Sequence, residues 1–438
     1  MSVQIIGGGP AGLAAGYYAK RSNIPIKIFE GSNEIGGNCR TLSFGEFKYD
    51  TGAHRFHDKN NDVTKVIKNL LGDELIKVDS PSTIFWNKKH INFPLEFSNL
   101  FKNLDKKVIV KIIYENIINI LLPNSKKENF KDLAYKKYGE TLSELFLINY
   151  TKKLWGENAQ NLLTNISGNR INNLDLSTMI KSFLTNGKFS SNHLDGSFYY
   201  PQNGIGEIFY SVANYVGYEN IYLNSKVSEL QHNDNKINKL VLDNNKEIEV
   251  DNLISTMPLN MLIKSLNPLP AKEIINEAKK IKFRALRLAV FTLDVEHFSN
   301  NASIYYPQKE ISFTRIYEPK NRSNKMAPKD KTCIVIEVPC EMSDLIYNYN
   351  DDDFINKIKQ DLVNSTHINY KNILNGDSIK IPYAYPILDL DLPNRLLIIN
   401  NYLQKFNNLT LLGRNAEFKY LHIHNLFERS EAIVKDKI

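Results

Sequence analysis

The chain has few cysteines for its length. Only three occur among 438 residues, Cys39, Cys333 and Cys340. None stands in a CxxC pair or at a spacing typical of metal ligands, so the sequence predicts neither a disulfide framework nor a metal site. This cysteine usage fits a reducing compartment, and we expect the protein in the cytoplasm.

Long uninterrupted apolar runs are also absent. The first residues, MSVQIIGGGPAGLAAGYYA, lack the basic segment and the cleavage site of a signal peptide. The most apolar later segment, VIVKIIYENIINILL at 108–122, carries Lys111 and Glu115. Charged side chains are unfavourable in bilayer hydrocarbon, so we expect no transmembrane segment. Attachment of this segment to a membrane surface stays an open alternative.

No block of basic residues stands out. The 55 Lys and Arg exceed the 48 Asp and Glu by seven, and they are scattered along the chain. Nucleic-acid binding needs clustered cations and aromatic platforms, so a nucleic-acid partner is not expected, whereas a small anionic substrate suits the positive field. With 42% hydrophobic and 24% charged residues, the chain is typical of a globular protein of two or three domains.

A glycine-rich turn between two short strands opens the chain. The residues SVQII at 2–6 predict a strand, and GGGPAG at 7–12 leads into a helix. PIKIF at 25–29 predicts a second strand, which is followed directly by Glu30. Strand, GxGxxG turn, helix, second strand and acid occur in the register of a dinucleotide-binding βαβ unit.

Each of these residue types has a role in such a unit. Gly7 permits the tight turn, Gly9 lets a pyrophosphate approach the helix N-terminus, and Gly12 allows close helix–strand packing. Glu30 lies 21 residues after Gly9, where a carboxylate can accept hydrogen bonds from a ribose. The sequence therefore predicts a dinucleotide cofactor.

A second glycine-rich turn, GSNEIGGNCRT, follows Glu30 and contains Gly37, Asn38 and Arg40. It resembles the turn that lies against FAD in the amine oxidase and protoporphyrinogen oxidase superfamily. This resemblance favours FAD over NAD. It also implies that IYLNSKVSEL at 221–230 returns to the cofactor, with Val227 meeting the adenine through its backbone.

The rest of the chain predicts an α/β fold assembled from interleaved pieces. Helical periodicity dominates 96–190, whereas 284–294, 302–317 and 331–338 have strand character. We expect three domains. They are a discontinuous Rossmann-type FAD-binding domain (1–95, 195–270 and 385–438), an inserted helical domain (96–194) and a mixed or antiparallel β-sheet substrate domain (271–384).

Six further segments resemble, in chain order, motifs of the UDP-galactopyranose mutase family. They are GAHRFHD (52–58), INFPL (91–95), NYTKKLWG (149–156), FTRIYEPKN (313–321), PYAYP (382–386) and LGRNAEFKYLHIH (412–424). The resemblance implies pyranose–furanose isomerisation of a UDP- or dTDP-hexose, through an adduct between the sugar and N5 of the reduced flavin. It also implies NAD(P)H as the reductant and a homodimer.

The same resemblance assigns site residues. His54 lies against the flavin near N5, and Arg315 and Arg414 complete the predicted catalytic set. Gly413 and His422 lie at the flavin, although the family has an acid where this chain has His422.

Substrate roles also follow from the resemblance. Arginine's planar fork suits phosphate oxygens, and aromatic rings suit a uracil face. The residues implied for the substrate are Arg170 and Arg315 with Tyr383, Tyr385 and Tyr420 at the diphosphate, and Tyr150 and Trp155 at the uridine.

Two other interpretations stay open. Asp50-Thr51-Gly52 looks more like the broader oxidase superfamily than the mutase branch. The alternative function is an FAD-dependent oxidase or desaturase, in which a substrate hydride passes to the flavin and oxygen reoxidises it. A non-catalytic flavin-binding protein is the third.

Overall fold

The computed structural model describes residues 2–121, 128–166, 197–233 and 235–437. Within these ranges the strands, in chain order, are β1 (Val3–Ile6), β2 (Ile26–Phe29), β3 (Thr41–Phe44), β4 (Phe47–Asp50), β5 (Leu75–Val78), β6 (Ser82–Trp86), β7 (Lys89–Phe93), β8 (Phe198–Pro201), β9 (Ile221–Tyr222), β10 (Val227–His232), β11 (Ile237–Leu242), β12 (Glu247–Glu249), β13 (Asn252–Ser255), β14 (Leu266–Asn267), β15 (Phe283–Leu293), β16 (Ser303–Tyr305), β17 (Arg315–Tyr317), β18 (Thr332–Cys340), β19 (Ile373–Pro386) and β20 (Leu409–Leu411).

The α-helices of the same ranges are α1 (Pro10–Arg21), α2 (Asn61–Leu71), α3 (Phe97–Asn103), α4 (Lys106–Leu121), α5 (Phe130–Tyr138), α6 (Glu140–Ser143), α7 (Asn149–Trp155), α8 (Gly206–Val216), α9 (Leu259–Ser265), α10 (Lys272–Lys280), α11 (Leu345–Asn348), α12 (Asp351–Ser365), α13 (Leu392–Leu403), α14 (Arg414–Glu417) and α15 (Ile423–Lys437). A π-helical turn, Glu144–Ile148, connects α6 to α7.

A five-stranded parallel sheet follows the order β20-β13-β1-β2-β9. All four residues of β1 are buried, as expected for a strand covered on both faces. Helix α1 starts with a proline, whose missing N–H leaves one fewer unpaired donor in the first turn. It ends in Lys20 and Arg21, cations that interact favourably with the C-terminal end of the helix dipole. It packs against α8 and α15.

A seven-stranded sheet has the order β19-β15-β18-β17-β16-β6-β7. Its pairs are antiparallel apart from β16 with β6. Strands β6 and β7 lie within 82–93, which we expected with the FAD-binding part of the chain. The structure places them in the large sheet instead. The sequence could not predict this pairing, because an alternating apolar pattern determines which face of a strand is buried but not which strand it pairs with.

The two sheet types confirm the predicted mixed α/β fold class, with parallel and antiparallel sheets. Helices α3 to α7 occupy the part of 96–194 that is described, and Arg170 lies outside the described residues. In the described ranges, no helix is long and apolar enough to cross a bilayer. The same ranges bring together no group of three or more metal-ligating side chains.

Candidate active site

The first glycine turn joins β1 to α1 and has no room for side chains at two positions. Gly7 has a φ of 100°, and a Cβ there would lie 2.1 Å from Oγ1 of Thr256. A Cβ on Gly12 would lie 1.9 Å from the carbonyl oxygen of Gly7. The turn therefore requires glycine at both positions, as the sequence pattern predicts.

The second turn packs directly on the first. Gly36 N donates to Gly8 O over 2.9 Å. A Cβ on Gly37 would lie 3.1 Å from the Cα of Gly9. Two side-chain-free backbones therefore face each other at the N-terminus of α1, which fits the diphosphate of a dinucleotide such as FAD.

Glu30 lies at the end of β2, beside the first turn. Its Oε2 accepts a hydrogen bond from Gly8 N over 2.6 Å, and its Oε1 accepts one from Ser32 N over 2.9 Å. The carboxylate is thus held at the glycine turn in the place where we predict a ribose.

His54 is held over the second turn by backbone and side-chain contacts. Its Nε2 lies 2.7 Å from Asn38 O, and its Nδ1 lies 3.8 Å from Sγ of Cys39. Burial, reinforced by the Arg414 cation, lowers the pKa of His54 to about 4. The imidazole is therefore neutral at physiological pH.

Asn38 and Arg40 connect the second turn to other parts of the site. Asn38 Nδ2 donates to Tyr383 O over 2.9 Å, which ties the turn to the end of β19. Arg40 forms an ion pair with Glu34 over 3.3 Å. These contacts place Asn38 between the predicted cofactor and substrate residues, and Arg40 beside Glu34.

A buried ionic network supports the His54 loop. Arg322 donates from Nη1 to His54 O over 2.9 Å and lies 3.6 Å from Asp50, with both side chains fully buried. Asp50 also accepts hydrogen bonds from Thr41 Oγ1 over 2.8 Å and from Ile205 N over 3.0 Å. Burial raises the pKa of Asp50, whereas Arg322 opposes that rise.

The C-terminal turn approaches the first helix. A Cβ on Gly413 would lie 2.9 Å from the Cβ of Ala11, which is in the first turn of α1. His422 lies further along, and its ring centroid is 5.4 Å from that of Tyr420 and 6.2 Å from that of His57. Gly413 thus reaches the predicted cofactor cradle, and His422 joins an aromatic cluster.

Val227 begins β10, in a four-stranded sheet of order β12-β11-β10-β14. The parallel sheet includes only the preceding Ile221–Tyr222 of the predicted returning strand. Val227 is buried in the same apolar cluster as Ile6 and Phe29. Its contact with adenine stays a prediction.

Arg315 forms a buried pair with Glu337. Its Nε and Nη2 donate to the two carboxylate oxygens over 2.9 and 2.6 Å. Burial by itself would lower the pKa of Arg315, but the Glu337 carboxylate holds that pKa well above its usual value. Glu337 Oε1 also accepts a hydrogen bond from Ala53 N over 3.0 Å, next to His54.

Arg414 lies among tyrosines. Its guanidinium carbon is 4.9 Å from the ring centroid of Tyr420 and 6.0 Å from that of Tyr385. Its Nε and Nη2 donate to Leu421 O over 3.2 and 2.7 Å. Because its described hydrogen bonds go to a carbonyl and not to a carboxylate, Arg414 contributes positive charge to the site.

Aromatic rings join the two arginines. Tyr305 lies 5.9 Å from the Arg315 guanidinium and 5.8 Å from the ring of Tyr150. Trp155 lies 5.4 Å from Tyr385 and 6.1 Å from Tyr420. We call these residues the arginine–tyrosine site. It comprises Arg315, Arg414, Tyr150, Tyr305, Tyr385, Tyr420 and Trp155.

An apolar pocket adjoins this site. Tyr150, Trp155, Tyr305 and Tyr420 form part of its wall. Its other lining residues are mostly aliphatic or phenylalanine, among them Ile84, Phe93, Leu95, Phe130, Phe146 and Leu154. The pocket suits a flat or apolar group, next to the cations of Arg315 and Arg414.

Tyr383 differs from the other predicted substrate tyrosines. Its ring packs edge-on against Phe283 at 5.1 Å, and its carbonyl accepts hydrogen bonds from Asn38 and Asn415. The structure therefore gives Tyr383 a packing contact, and its backbone joins the second glycine turn.

Sequence reasoning missed four residues that hold the site together. Glu337 pairs with Arg315 across adjacent strands, and Tyr305 stacks beside it. Lys153 donates three hydrogen bonds from Nζ to carbonyls of 306–313. Arg322 anchors the His54 loop. A charged residue inside an apolar strand, as in IVIEV around Glu337, was the available signal.

A protein-family model described as flavin containing amine oxidoreductase matches residues 10–362. The chain belongs to this family. Its members bind a flavin, and the two glycine turns fit FAD through Gly7, Gly9, Gly37 and Glu30.

Individual relatives of this amine oxidoreductase family member carry different names. Coproporphyrinogen III oxidase of Bacillus subtilis (strain 168) is 22% identical over 395 residues, which cover 84% of this chain and 83% of that protein. A crystal structure of reduced UDP-galactopyranose mutase superposes with a TM-score of 0.85 at 16% identity, covering 99% of this chain and 94% of that one. A putative protoporphyrinogen oxidase from Exiguobacterium sp. 255-15 superposes with a TM-score of 0.76 at 15% identity, covering 99% and 98%.

Proposed function

We propose that this flavoprotein is a nucleotide-sugar mutase that interconverts the six-membered and five-membered ring forms of a UDP- or dTDP-hexose. The observation that carries the proposal is the arginine–tyrosine site, in which two cations and a set of aromatic rings adjoin one pocket. A nucleoside diphosphate needs both features, namely cations for the phosphates and flat faces for the base.

In this proposal Arg315 and Arg414 hold the diphosphate. Arg315 uses Nε and Nη2 for Glu337, which leaves Nη1 to donate to a phosphate oxygen. Because Glu337 fixes the guanidinium in one orientation, little side-chain entropy is lost when the anion binds. The departing diphosphate then stays close enough to be recaptured by the sugar.

Tyr150 and Trp155 accept the base in the apolar pocket. Burial raises the pKa of Tyr150 well above its ordinary value, so its hydroxyl stays protonated and can donate a hydrogen bond. Trp155 is fixed by edge contacts with Tyr385 and Tyr420. The base is therefore oriented by rings that are already packed.

Bound FAD in its reduced form supplies the nucleophilic nitrogen for the reaction. His54 stands over the second glycine turn as a neutral imidazole, with Nε2 at Asn38 O. As a neutral ring, His54 adds no charge near the flavin. NAD(P)H as reductant, a homodimer and the three-domain division belong to the same proposal.

The experiment is anaerobic turnover of UDP- and dTDP-hexoses with the FAD either oxidised or reduced by dithionite, with products separated by chromatography. We expect ring isomers only with reduced flavin. Arg414→Gln should reduce turnover by at least about a hundredfold, as for loss of a charge-assisted bond to phosphate. Arg395→Gln is the matched control, because Arg395 of α13 pairs with Asp389, just before that helix. Absence of product in both flavin states would refute the proposal.

A second candidate is an FAD-dependent oxidase. The apolar lining of the pocket and the 22% identical coproporphyrinogen III oxidase favour it. The same protein preparation, given a porphyrinogen and oxygen, would then reduce its flavin with the substrate and consume oxygen. Substrate-dependent oxygen uptake without sugar isomerisation would select this candidate.

A further inference from the structure

Helix α4 presents a line of exposed apolar side chains. Val110, Tyr114, Ile117 and Leu121 follow one another at helical spacing and are between 49% and 68% exposed. Phe101 on α3, immediately before this helix, is 55% exposed. We call these five residues the α4 surface.

The opposite face of α4 fixes the helix to the protein. Ile109 and Ile112 are buried in the same apolar cluster as Phe130 of α5. Asn116 donates from Nδ2 to Ile112 O and to Tyr138 O, each over 2.8 Å. These contacts fix the rotation of α4 about its own axis, so the α4 surface faces away from the core.

Three exposed lysines flank the apolar line. Lys102 lies in the last turn of α3, and Lys106 and Lys107 occupy the first turn of α4, which contains no acidic residue. Cations at a helix N-terminus oppose the helix dipole, so Lys106 and Lys107 do not stabilise α4 itself. By contrast, the first turns of α2 and α12 carry aspartates.

We propose that the α4 surface binds the surface of an anionic phospholipid bilayer. The apolar residues enter the region between headgroups and acyl chains, and the lysines contact lipid phosphates. A helix of 16 residues is about 24 Å long and lies flat in this arrangement. The inference does not depend on the proposed mutase activity.

Charge distinguishes a bilayer from a second copy of the chain. A two-fold symmetric contact would bring Lys106 and Lys107 of both copies into one interface. Within α4 the carboxylate is Glu115, which is mostly buried and accepts hydrogen bonds from Thr141. The exposed Asp105 precedes the helix and offsets one of the three lysines, so the surface stays positive. Anionic headgroups supply the missing negative charge.

The experiment is co-sedimentation of the full FAD-loaded chain with vesicles of phosphatidylcholine alone or mixed with phosphatidylglycerol. We expect binding to the mixed vesicles, and we expect added salt to weaken it. Ile117→Gln/Leu121→Gln should lower the partition coefficient by more than about tenfold. Lys102→Gln/Lys106→Gln/Lys107→Gln should lower it by about fivefold per lysine.

Matched controls use equivalent side chains elsewhere. Leu397→Gln changes another exposed leucine, and Lys272→Gln/Lys279→Gln changes exposed lysines of α10. These controls should bind vesicles as the unmodified protein does, and flavin absorbance verifies that every variant is folded. Failure of the unmodified protein to bind, or equal binding by the α4 variants, would overturn the inference. So would a dimer in sedimentation velocity that Ile117→Gln/Leu121→Gln dissociates.

Discussion

The glycine turns and the arginine–tyrosine site are constructed in different ways. The turns use backbone from about the first forty residues, and their shape follows from the absence of side chains at Gly7 and Gly12. The arginine–tyrosine site uses side chains from α7, β16, β17, β19, α14 and the segment after α14, and the buried Glu337 holds Arg315 within it. Substitutions in the glycine turns should therefore destabilise the protein through steric overlap, and substitutions in the arginine–tyrosine site should do so through loss of charge pairing.

The largest effect should come from the turns. Gly12→Ala places a methyl group 1.9 Å from the Gly7 carbonyl oxygen, and a backbone atom cannot move aside cheaply. We expect a loss of more than about 4 kcal/mol in the free energy of unfolding and no bound flavin. Urea denaturation and flavin absorbance measure both.

Gly9→Ala is the matched control for this substitution. Its Cβ would lie 3.7 Å from the Cα of Gly37, an ordinary contact. The chain should fold normally and lose affinity only for FAD, whose pyrophosphate needs that space. Equal stability of the Gly12 and Gly9 variants would contradict the steric explanation for the requirement for glycine at position 12.

The second effect tests the charge pairing. Glu337→Gln leaves the Arg315 cation buried without its carboxylate and should destabilise the protein by about 3 kcal/mol or more. Arg315→Met/Glu337→Leu removes both charges and should restore stability to within about 1 kcal/mol while abolishing turnover. Thermal denaturation and the turnover assay check both variants.

An exposed ion pair provides the control. Glu247→Gln removes one of the two carboxylates that pair with Lys239 at the surface, and we expect a change below about 1 kcal/mol in the free energy of unfolding. If the Glu337 and Glu247 variants lose similar stability, the buried pair is not what holds the arginine–tyrosine site.

The third prediction concerns pH. Because the pKa of His54 is lowered to about 4, the unfolded chain binds a proton between about pH 6.5 and 4 that the folded chain does not. Stability should therefore fall as the pH falls through this window, by at most about 3 kcal/mol from His54. His54→Asn should show a flatter profile of stability against pH in urea titrations, and parallel profiles would contradict the lowered pKa of His54.

The smallest effect should come from Lys153. Its Nζ donates to the carbonyls of Tyr306, Gln308 and Phe313 over 2.7 to 2.8 Å. Lys153→Met leaves these acceptors without their donor and should cost about 2 kcal/mol of stability. The exposed neighbour supplies the control, since Lys152→Met should change little. If Lys153→Met leaves stability unchanged, the three hydrogen bonds of Lys153 do not stabilise the segment 306–313.

The glycine turns could be predicted from the sequence more completely than the arginine–tyrosine site. Gly7, Gly12 and Glu30 were predictable because their constraints are local in sequence and repeat at a fixed spacing. Glu337 was missed because its partner Arg315 is 22 residues away on another strand, and cross-strand register is a tertiary property. For the same reason the pairing of β6 and β7 with the large sheet escaped prediction.

Resemblance to the mutase family brought Tyr150, Trp155, Tyr385 and Tyr420 to attention as substrate residues, and they adjoin one pocket or one another in the structure. It did not separate Tyr383 from them, although that ring packs on Phe283. A motif specifies that an aromatic residue is present but not the direction of its side chain. In β19 that direction also depends on the register shift opposite Arg284 and Leu286 of β15, which the motif does not reveal.

The parallel sheet joins strands that are made at very different times during translation. β1 emerges within the first ten residues, whereas β20 pairs with β13 only after residue 411 has been added. The cradle between the two glycine turns also gains Gly413 from this late segment. The cradle for the cofactor is therefore incomplete on the nascent chain until residue 413 has been synthesised.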